Sequence, residues 1–321
     1  MSITRKKDYQ GKVKAGYAAM KGRKVAICGL ARDCALGLPG NIKTIERLRK
    51  HFQASYAVVV ENDSRDRTKE ILKNWSAARK DVFVLSQDTG ELTTPAQSPG
   101  QVRPWFSKHR IERFVKFRNM YLDFVEKNLA VDTLIVLDLD IFSFSIDGIA
   151  HTFGQPIGWH AVTANGRNIP AGRAFFKGYN YYDTYALWES ADTRPQTEEM
   201  IFGYQNIYKG LKRGMPMVRV ASAFNGLAVY QMEAVKGLRY RCLSNQDPHV
   251  EAVCDHVSLH KQMAERGQDL IYMNPSQIVM YDTYAHWLYR NSRRFAGQAR
   301  GRLYAALFAI FTAVKNKRAS S

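Results

Sequence analysis

The first third of the chain alternates short apolar runs with amphipathic segments. Apolar runs of strand length cover residues 24–30, 56–60 and 82–85. The intervening segments 41–52 and 66–80 place hydrophobic residues at helical spacing. This β-α-β-α-β alternation predicts parallel strands in a doubly wound α/β sheet with helices on both faces.

A long amphipathic helix is predicted over residues 108–129, and its apolar face contains a charge. Arg118 falls in the middle of the hydrophobic stripe of this helix, where a guanidinium needs a partner. An uninterrupted apolar strand follows at 133–137 and ends in Asp138 and Asp140. Arg118 is therefore expected to pair with Asp138 itself or with phosphate oxygens of a ligand.

The second half of the chain is less periodic. Short strands are predicted near 217–221 and 226–230, a helix over 250–266 and a last strand at 270–273. No internal repeat interrupts the pattern, so the chain is expected to form one main domain.

Polar or acidic residues follow three of the predicted strands, and this coincidence indicates a ligand site. Ligands of parallel α/β sheets bind at the carboxyl ends of the strands. Asp138 and Asp140 lie at i and i+2, a spacing that lets both carboxylates share one divalent ion, Mn²⁺ or Mg²⁺, with a diphosphate. Glu61, Asn62 and Asp63 are candidates for hydrogen bonds to a ribose or a base.

Two histidines four residues apart form a further candidate. His256 and His260 share one face of the predicted helix, and Asp255 precedes the first. This arrangement is typical of metal ligation or of general acid-base chemistry, although a histidine in a helix is also compatible with a structural role.

The net charge of +18 is concentrated at the two ends of the chain. Residues 1–24 carry a net +7 and residues 290–321 a net +8, which leaves the body nearly neutral. A nucleic-acid-binding domain would spread its cations over the body, so nucleic acid is not the expected partner. An anionic membrane surface is expected instead.

The C-terminal end strengthens the membrane hypothesis. Residues 303–314 are uncharged and mostly apolar between cationic flanks. Twelve residues are too few to span a bilayer but suit an amphipathic helix lying in the interface. Neither a signal peptide nor a pattern of paired cysteines is present, so we expect a cytoplasmic protein held peripherally at the inner face of the plasma membrane.

Several of these motifs, in this order, resemble a known group of enzymes. They are residues 25–33, 61–64, 118–119, 137–140, 162–166, 181–187, 222–228 and 254–257. Together they resemble bacterial polysaccharide glycosyltransferases of the GT-A fold and the fungal family of capsule-associated α-1,3-mannosyltransferases.

The resemblance implies a GT-A-like, Rossmann-like mixed sheet and transfer of a sugar from a UDP- or GDP-linked donor to a glycan or lipid-linked acceptor. The implied nucleoside contacts are Ala31, Arg32, Asp33, Glu61 and Asp63, with Arg118 at the diphosphate. The implied sugar pocket is formed by Asn165, Gly166, Asp183, Asn225 and Gly226. The implied metal ligands are Asp138, Asp140 and His260, and the implied catalytic group is Asp255 or His256.

The resulting domain scheme has three parts. Residues 1–23 are expected to be a basic leader, residues 24–285 the GT-A-like domain, and residues 286–321 a basic, amphipathic, membrane-associating segment. Whether the reaction inverts or retains the anomeric configuration stays open.

Two other functions remain compatible with the residues. A glycoside hydrolase would use two carboxylates and no nucleotide. A non-catalytic scaffold would bind membrane or another polyanion through the basic ends. A nucleotidyltransferase is disfavoured, because the loop after the first strand is poor in glycine.

Overall fold

A computed structural model describes residues 3–96, 100, 102–168, 180–189 and 195–281. The expected C-terminal helix and the segment 286–321 lie outside the described residues.

The described elements alternate helices and strands through most of the chain. The helices are α1 Ile3–Met20, α2 Leu38–Arg49, α3 Thr68–Ala77, α4 Lys108–Asn128, α5 Ile146–Phe153, α6 Glu198–Ile207, α7 Met232–Val235 and α8 Asp255–Glu265. The strands are β1 Lys24–Ala31, β2 Ala54–Glu61, β3 Val82–Ser86, β4 Thr133–Leu137, β5 Ser143–Phe144, β6 Ala161–Asn168, β7 Asn180–Tyr181, β8 Val218–Arg219, β9 Leu227–Gln231 and β10 Ile271–Tyr281.

The described strands form one mixed sheet of ten strands in the order β3-β2-β1-β4-β9-β6-β10-β5, with β7 beside β6 and β8 beside β10. Strands β1 to β4 pair in parallel, as the sequence pattern predicts. β9 runs antiparallel to both β4 and β6, which makes the sheet mixed. The prediction of an α/β fold with a mixed sheet is confirmed.

Both faces of the sheet are covered by helices, as expected. Alternate residues of β1 belong to two separate apolar cores: Ala26 and Cys28 pack with α4 and α8, whereas Val25 and Ile27 pack with α1, α2, α3 and α5. Successive strand side chains point to opposite faces, so a central strand covered on both sides is apolar throughout.

The N-terminal leader is not a separate segment but a helix packed on the domain. α1 contacts α5 closely enough that a Cβ on Gly16 would come within 1.6 Å of the Ala150 carbonyl oxygen. Tyr9 and Met20 are buried in this contact. The sequence did not show this helix, because its small and apolar residues are interspersed with lysines and two glycines and form no clear apolar stripe.

No helix among the described residues is both long and apolar enough to cross a membrane.

Candidate active site

A cavity of about 330 Å³ opens where the carboxyl ends of β1 and β4 meet the start of α8. Ten of the residues singled out from the sequence line it, namely Ala31, Arg32, Asp33, Asn62, Arg118, Asp138, Asp140, Asp183, Asp255 and His256. Seven others do not line it, namely Glu61, Asp63, Asn165, Gly166, Asn225, Gly226 and His260.

Asp138 and Asp140 sit at the end of β4, where the strand gives way to a turn. The backbone N–H of Asp138 donates to the Gly226 carbonyl at 2.9 Å, which ties this turn to the start of β9. The Tyr281 hydroxyl lies 3.1 and 3.0 Å from the two carboxylate oxygens of Asp140 and donates to this carboxylate. Tyr281, which the sequence analysis missed, therefore positions Asp140.

Negative charge accumulates around these two carboxylates. Burial raises the pKa of Asp138, the charge of Arg118 opposes this rise, and the neighbouring Asp140, Asp183 and Asp255 add to it, which together bring the pKa to about 7. Burial also raises the pKa of Asp140. A raised pKa means that the ionised form of these acids is disfavoured in the protein alone. A bound cation would stabilise the ionised form.

Arg118 is buried beneath the cavity and joins two of its acids. Its Nε atom lies 2.6 Å from Asp255 Oδ2, in an ion pair that lacks hydrogen-bond alignment. Its Nη2 atom is 3.6 Å from Asp138 Oδ1. The guanidinium also packs over Phe224, 5.1 Å from the ring centroid. The expected pairing of Arg118 with Asp138 is present, but the closer partner is Asp255.

Asp183 faces the same cavity from the short segment after β7. Its Oδ2 atom accepts a hydrogen bond of 3.0 Å from the backbone N–H of Asn225. No ion pair to Asp183 occurs within the described part of the chain. Burial raises the pKa of Asp183. Asp183 is held by the backbone donors of Asn225 and Ala186, whereas Asp255 is paired with the guanidinium of Arg118.

The backbone around the cavity adopts an unusual conformation. The non-glycine residues with positive φ in the described chain are Asp33, Asp63, Asp183 and Asn225. All four belong to the set predicted from the sequence, and asparagine and aspartate tolerate this conformation best. Such backbone conformations cluster at functional sites, where surrounding contacts hold them in place.

Four predicted sugar-pocket residues, Asn165, Gly166, Asn225 and Gly226, do not line the cavity. Asn165 is fully buried and donates to the Pro275 carbonyl at 3.2 Å. A Cβ on Gly166 would come within 2.8 Å of Asn225. Gly226, with φ of +80°, carries the carbonyl that accepts from Asp138. Asn225 and Gly226 contact Asp183 and Asp138 through the backbone, and a role of these residues in sugar binding stays a prediction.

The end of β1 provides the polar wall on the opposite side. Arg32 donates to the Glu91 carbonyl at 3.1 Å and to Thr93 Oγ1 at 2.7 Å, so it links the strand end to the following loop. Asp33 Oδ1 accepts from the Arg65 backbone at 2.7 Å.

The predicted nucleoside contacts of β2 are corrected by the structure. Glu61 is fully buried and accepts from Ser64 and Ser86, which closes the turn after the strand. Asp63 accepts from the backbone N–H groups of Thr89 and Gly90 at 2.6 and 2.7 Å. These hydrogen bonds lower the pKa of Asp63, against the effect of burial. The residue between them, Asn62, is the one that lines the cavity.

His260 is not placed to ligate a metal in the cavity. Its Nδ1 atom is hydrogen-bonded to Ser222 Oγ at 2.8 Å and its Nε2 atom to the Tyr230 hydroxyl at 3.0 Å. Both ring nitrogens are thus occupied in the interior, and burial lowers the pKa of His260 to about 3. The neighbouring turn of α8 carries His256 to the cavity instead.

His256 is an unusual residue of the cavity wall. Its ring stacks on Phe224 with centroids 3.7 Å apart, and neither ring nitrogen has a hydrogen-bond partner. Burial, with the charge of Arg118, lowers its pKa well below the ordinary value. The ring is therefore neutral at physiological pH. A catalytic role for His256 stays a prediction.

Sequence reasoning missed a cationic and aromatic part of the cavity. Arg110, Tyr182 and Tyr281 line it, and the two tyrosines stack with centroids 3.7 Å apart. The aromatic-rich composition after residue 175 was the available signal for Tyr182. Nothing in the local pattern distinguished Arg110 from the other exposed cations of α4.

The donor set at the mouth of the cavity fits a hard divalent cation in part. Carboxylate oxygens are the preferred protein ligands of Mg²⁺ and suit Mn²⁺. Within the described residues, no three His, Cys, Asp or Glu side chains lie close enough to form a complete ligand set. Asp138 and Asp140 would therefore share the ion with phosphate oxygens or water, as a magnesium site commonly does.

Comparison with protein families gives one match over most of the chain. The model of the family described as Cryptococcal mannosyltransferase 1 matches residues 36–260. No curated protein sequence matches.

Solved structures with a related arrangement include three glycosyl-transferring enzymes. Mannosyltransferase PcManGT from Pyrobaculum calidifontis, solved with GDP-Man and Mn²⁺, is 12% identical, with a TM-score of 0.44 over 93% of this chain and 74% of that chain. GalNAc-T7, solved with UDP, GalNAc and Mn²⁺, is 12% identical, with a TM-score of 0.45 over 81% of this chain and 44% of that chain. Glucosyl-3-phosphoglycerate synthase from Mycobacterium tuberculosis, solved with Mn²⁺, UDP and phosphoglyceric acid, is 13% identical, with a TM-score of 0.40 over 84% of this chain and 73% of that chain. All three likenesses are distant, and no residue role is carried over from them.

Proposed function

The chain belongs to the Cryptococcal mannosyltransferase 1 family, and from that premise we propose that it transfers a mannosyl group from a nucleoside-diphosphate donor to a glycan or lipid-linked acceptor with the help of a divalent metal. Membership of this family makes it a hexosyltransferase. We also propose that its mixed sheet has the GT-A-like fold.

The observation that carries the proposal is the group of acids at one cavity. Asp138 and Asp140 follow β4 and Asp183 follows β7, yet all three line the same opening at the carboxyl edge of the sheet. Folding brings like charges together at a cost, and that cost is offset when the site binds a cation. A solvated loop would have no reason to hold the acids in this way.

Asp138 and Asp140 would hold the metal, with Tyr281 fixing the orientation of Asp140. When bound, the ion would neutralise charge on the departing nucleoside diphosphate. Arg110 would add positive charge at the same place, because it lines the cavity and its charge lowers the pKa of Asp140.

The nucleoside would lie against the other side of the cavity. Ala31, Arg32 and Asp33 form this wall with Asn62. Asn62 Nδ2 donates to Asp63 at 3.0 Å, so its carbonyl oxygen is the group that would contact a base or ribose, whereas Arg32 is held by Glu91 and Thr93.

We assign the reacting carboxylate to Asp183 rather than to Asp255. Asp255 Oδ2 is 2.6 Å from Arg118, and its side chain is only 5% exposed. A carboxylate held by a guanidinium is a poor proton acceptor. Asp183 accepts hydrogen bonds from backbone N–H groups, among them that of Asn225 at 3.0 Å, has no ion pair among the described residues and lines the cavity. It would either accept the proton of the acceptor hydroxyl or stabilise positive charge at the anomeric carbon.

Calorimetric titration with GDP and UDP, each with and without Mn²⁺, tests the proposal. We expect one nucleotide to bind only with Mn²⁺, and we expect Asp138→Asn/Asp140→Asn to abolish that binding. A mannosyl donor of the same nucleotide should then be consumed when acceptor glycan is present.

The matched control is Asp269→Asn, which removes an exposed acid paired with Arg219 far from the cavity. It should leave binding unchanged. Nucleotide binding that ignores both Mn²⁺ and the double variant would contradict the metal site. Release of free mannose from a glycoside without any nucleotide would favour the hydrolase.

A further inference from the structure

The outer face of α1 is cationic, and its orientation is set by the contact with α5. Glycines bring the two helices together at two points: Gly16 lies against Ala150, and a Cβ on Gly154 would come within 1.9 Å of the Lys12 carbonyl oxygen. The Tyr17 hydroxyl also donates to Asp147 Oδ1 at 2.6 Å. This close packing holds α1 in one rotational setting about its own axis.

In that setting, three lysines point away from the protein. Lys7, Lys14 and Lys21 are exposed, and each is seven residues from the next. Seven residues correspond to nearly two helical turns, so Lys7 and Lys14 lie on one stripe of α1, and Lys21 follows directly after its last residue, Met20. Among the described residues, none of the three has an acidic partner within ion-pair distance, in contrast to Lys12, which pairs with Asp8 at 3.0 Å.

The positive surface continues onto the end of α2. Arg47 and Lys50 are exposed there, beside His51, whose ring lies 4.5 Å from that of Tyr17. Burial lowers the pKa of His51, and the charges of Arg47 and Lys21 lower it further against the opposing charge of Asp147, so cations from the end of α2 and from the turn after α1 both approach this residue. We call the surface formed by Lys7, Lys14, Lys21, Arg47 and Lys50 the basic face.

The shape of the basic face suits a flat anionic partner. Between the lysines, the exposed positions of α1 include Gly11, Ala15 and Ala18, which do not protrude. The ammonium groups are therefore the outermost atoms of the stripe and can reach one plane together. Aromatic or amide side chains that would read nucleic-acid bases are few here, Gln10 being the exposed one on α1.

We propose that the basic face docks the protein on a membrane surface rich in anionic phospholipid. The proposal does not depend on the identity of the transferred sugar. Because no residue of α1 lines the active-site cavity, docking through α1 leaves the mouth of the cavity free for an acceptor. Polybasic surfaces of this kind bind anionic bilayers through screened electrostatic attraction.

Co-sedimentation of the full chain with vesicles tests this proposal. Vesicles of phosphatidylcholine with phosphatidylglycerol are compared with phosphatidylcholine alone, for the unaltered protein and for Lys7→Glu/Lys14→Glu/Lys21→Glu. We expect binding only to the anionic vesicles, weakened by added salt, and a fall in the partition coefficient of about a hundredfold in the variant.

The control variant is Lys116→Glu/Lys127→Glu/Lys236→Glu, which makes the same change in net charge on the opposite face of the sheet. We expect it to lower partition by no more than about twofold. The triple change to glutamine on α1 provides a milder variant, and urea unfolding shows that each variant is folded.

Three results would overturn the proposal. Unchanged partition of the α1 variant would place any membrane contact elsewhere in the chain. Equal losses in the two charge-reversed variants would indicate net charge alone. Binding to duplex DNA but not to anionic vesicles, lost in the α1 variant, would reassign the basic face to nucleic acid.

Discussion

Arg118 and Asp255 form a buried ion pair under the active-site cavity, with Nε and Oδ2 2.6 Å apart and both side chains at most 6% exposed. The pair joins the middle of α4 to the first residue of α8. It therefore connects two helices of one face while it supports the wall of the cavity.

Removing one member of this pair is expected to destabilise the fold. Arg118→Met leaves Asp255 as a buried charge without its partner, which costs about 3–5 kcal/mol. Arg118→Met/Asp255→Leu should lower the free energy of unfolding by less than the sum of the two single changes, because it leaves neither member of the pair without its partner. Urea unfolding of all four proteins measures the coupling, and additive losses would show that the pair does not interact.

Asp183→Asn should reduce catalysis without reducing stability. If Asp183 is the reacting carboxylate, kcat falls about a hundredfold or more while KM for the donor changes little. Steady-state kinetics measure this difference. The control is Asp88→Asn, an exposed acid that pairs with Lys69 outside the cavity. A variant that retains its kcat would return the role to Asp255 or His256.

Tyr281→Phe should weaken metal binding through Asp140. Loss of the hydroxyl removes the donor that lies 3.0 Å from this carboxylate, and losses of such outer contacts lower metal affinity about 10–100-fold. A Mn²⁺ titration followed by electron paramagnetic resonance reports the affinity directly. Tyr272→Phe, on the same strand, should bind as the unaltered protein does, and equal affinities in all three proteins would argue against the role of Tyr281.

Gly166→Ala should disturb the cavity from behind. The new Cβ would come within 2.8 Å of Asn225, whose N–H holds Asp183. We expect a loss of about 1–3 kcal/mol in stability together with reduced activity. Gly203→Ala adds a methyl group with no atom within 4 Å and should be neutral or slightly stabilising. Chemical denaturation and activity assays distinguish the two variants.

Acid is expected to destabilise the fold through its buried histidines. Burial lowers the pKa of His151 to about 4 and that of His260 to about 3, from an ordinary value of 6.5. The unfolded chain then binds protons more readily than the folded one. The contribution of the two histidines to the free energy of unfolding is therefore complete above pH 6.5 and is lost as the pH falls toward their folded-state pKa values.

Urea unfolding of the unaltered protein and of His151→Gln at several pH values tests this expectation. The difference in stability between the two should shrink as the pH falls below 6.5. A constant difference across this range would show that His151 is not titrating.

Much of the fold and part of the site could be predicted from local pattern. β4 begins and ends where its apolar run predicts, and Asp138 and Asp140 follow it because a buried strand must end before charged residues. The place of Arg118 on the apolar stripe of α4 already required a buried partner. These features depend on residues close together in the chain.

The sequence by itself therefore determined the α/β alternation, the pair of acids after β4 and the concentration of cations at the ends. Only the tertiary structure decided which acids act alone and which are paired. Asp255 and Asp183 look alike in sequence, yet Arg118, 137 residues before Asp255, neutralises one and leaves the other facing the cavity. Long-range contacts of this kind arise when helices pack on the faces of the sheet. The local sequence pattern around an acid does not determine which distant side chain will contact it.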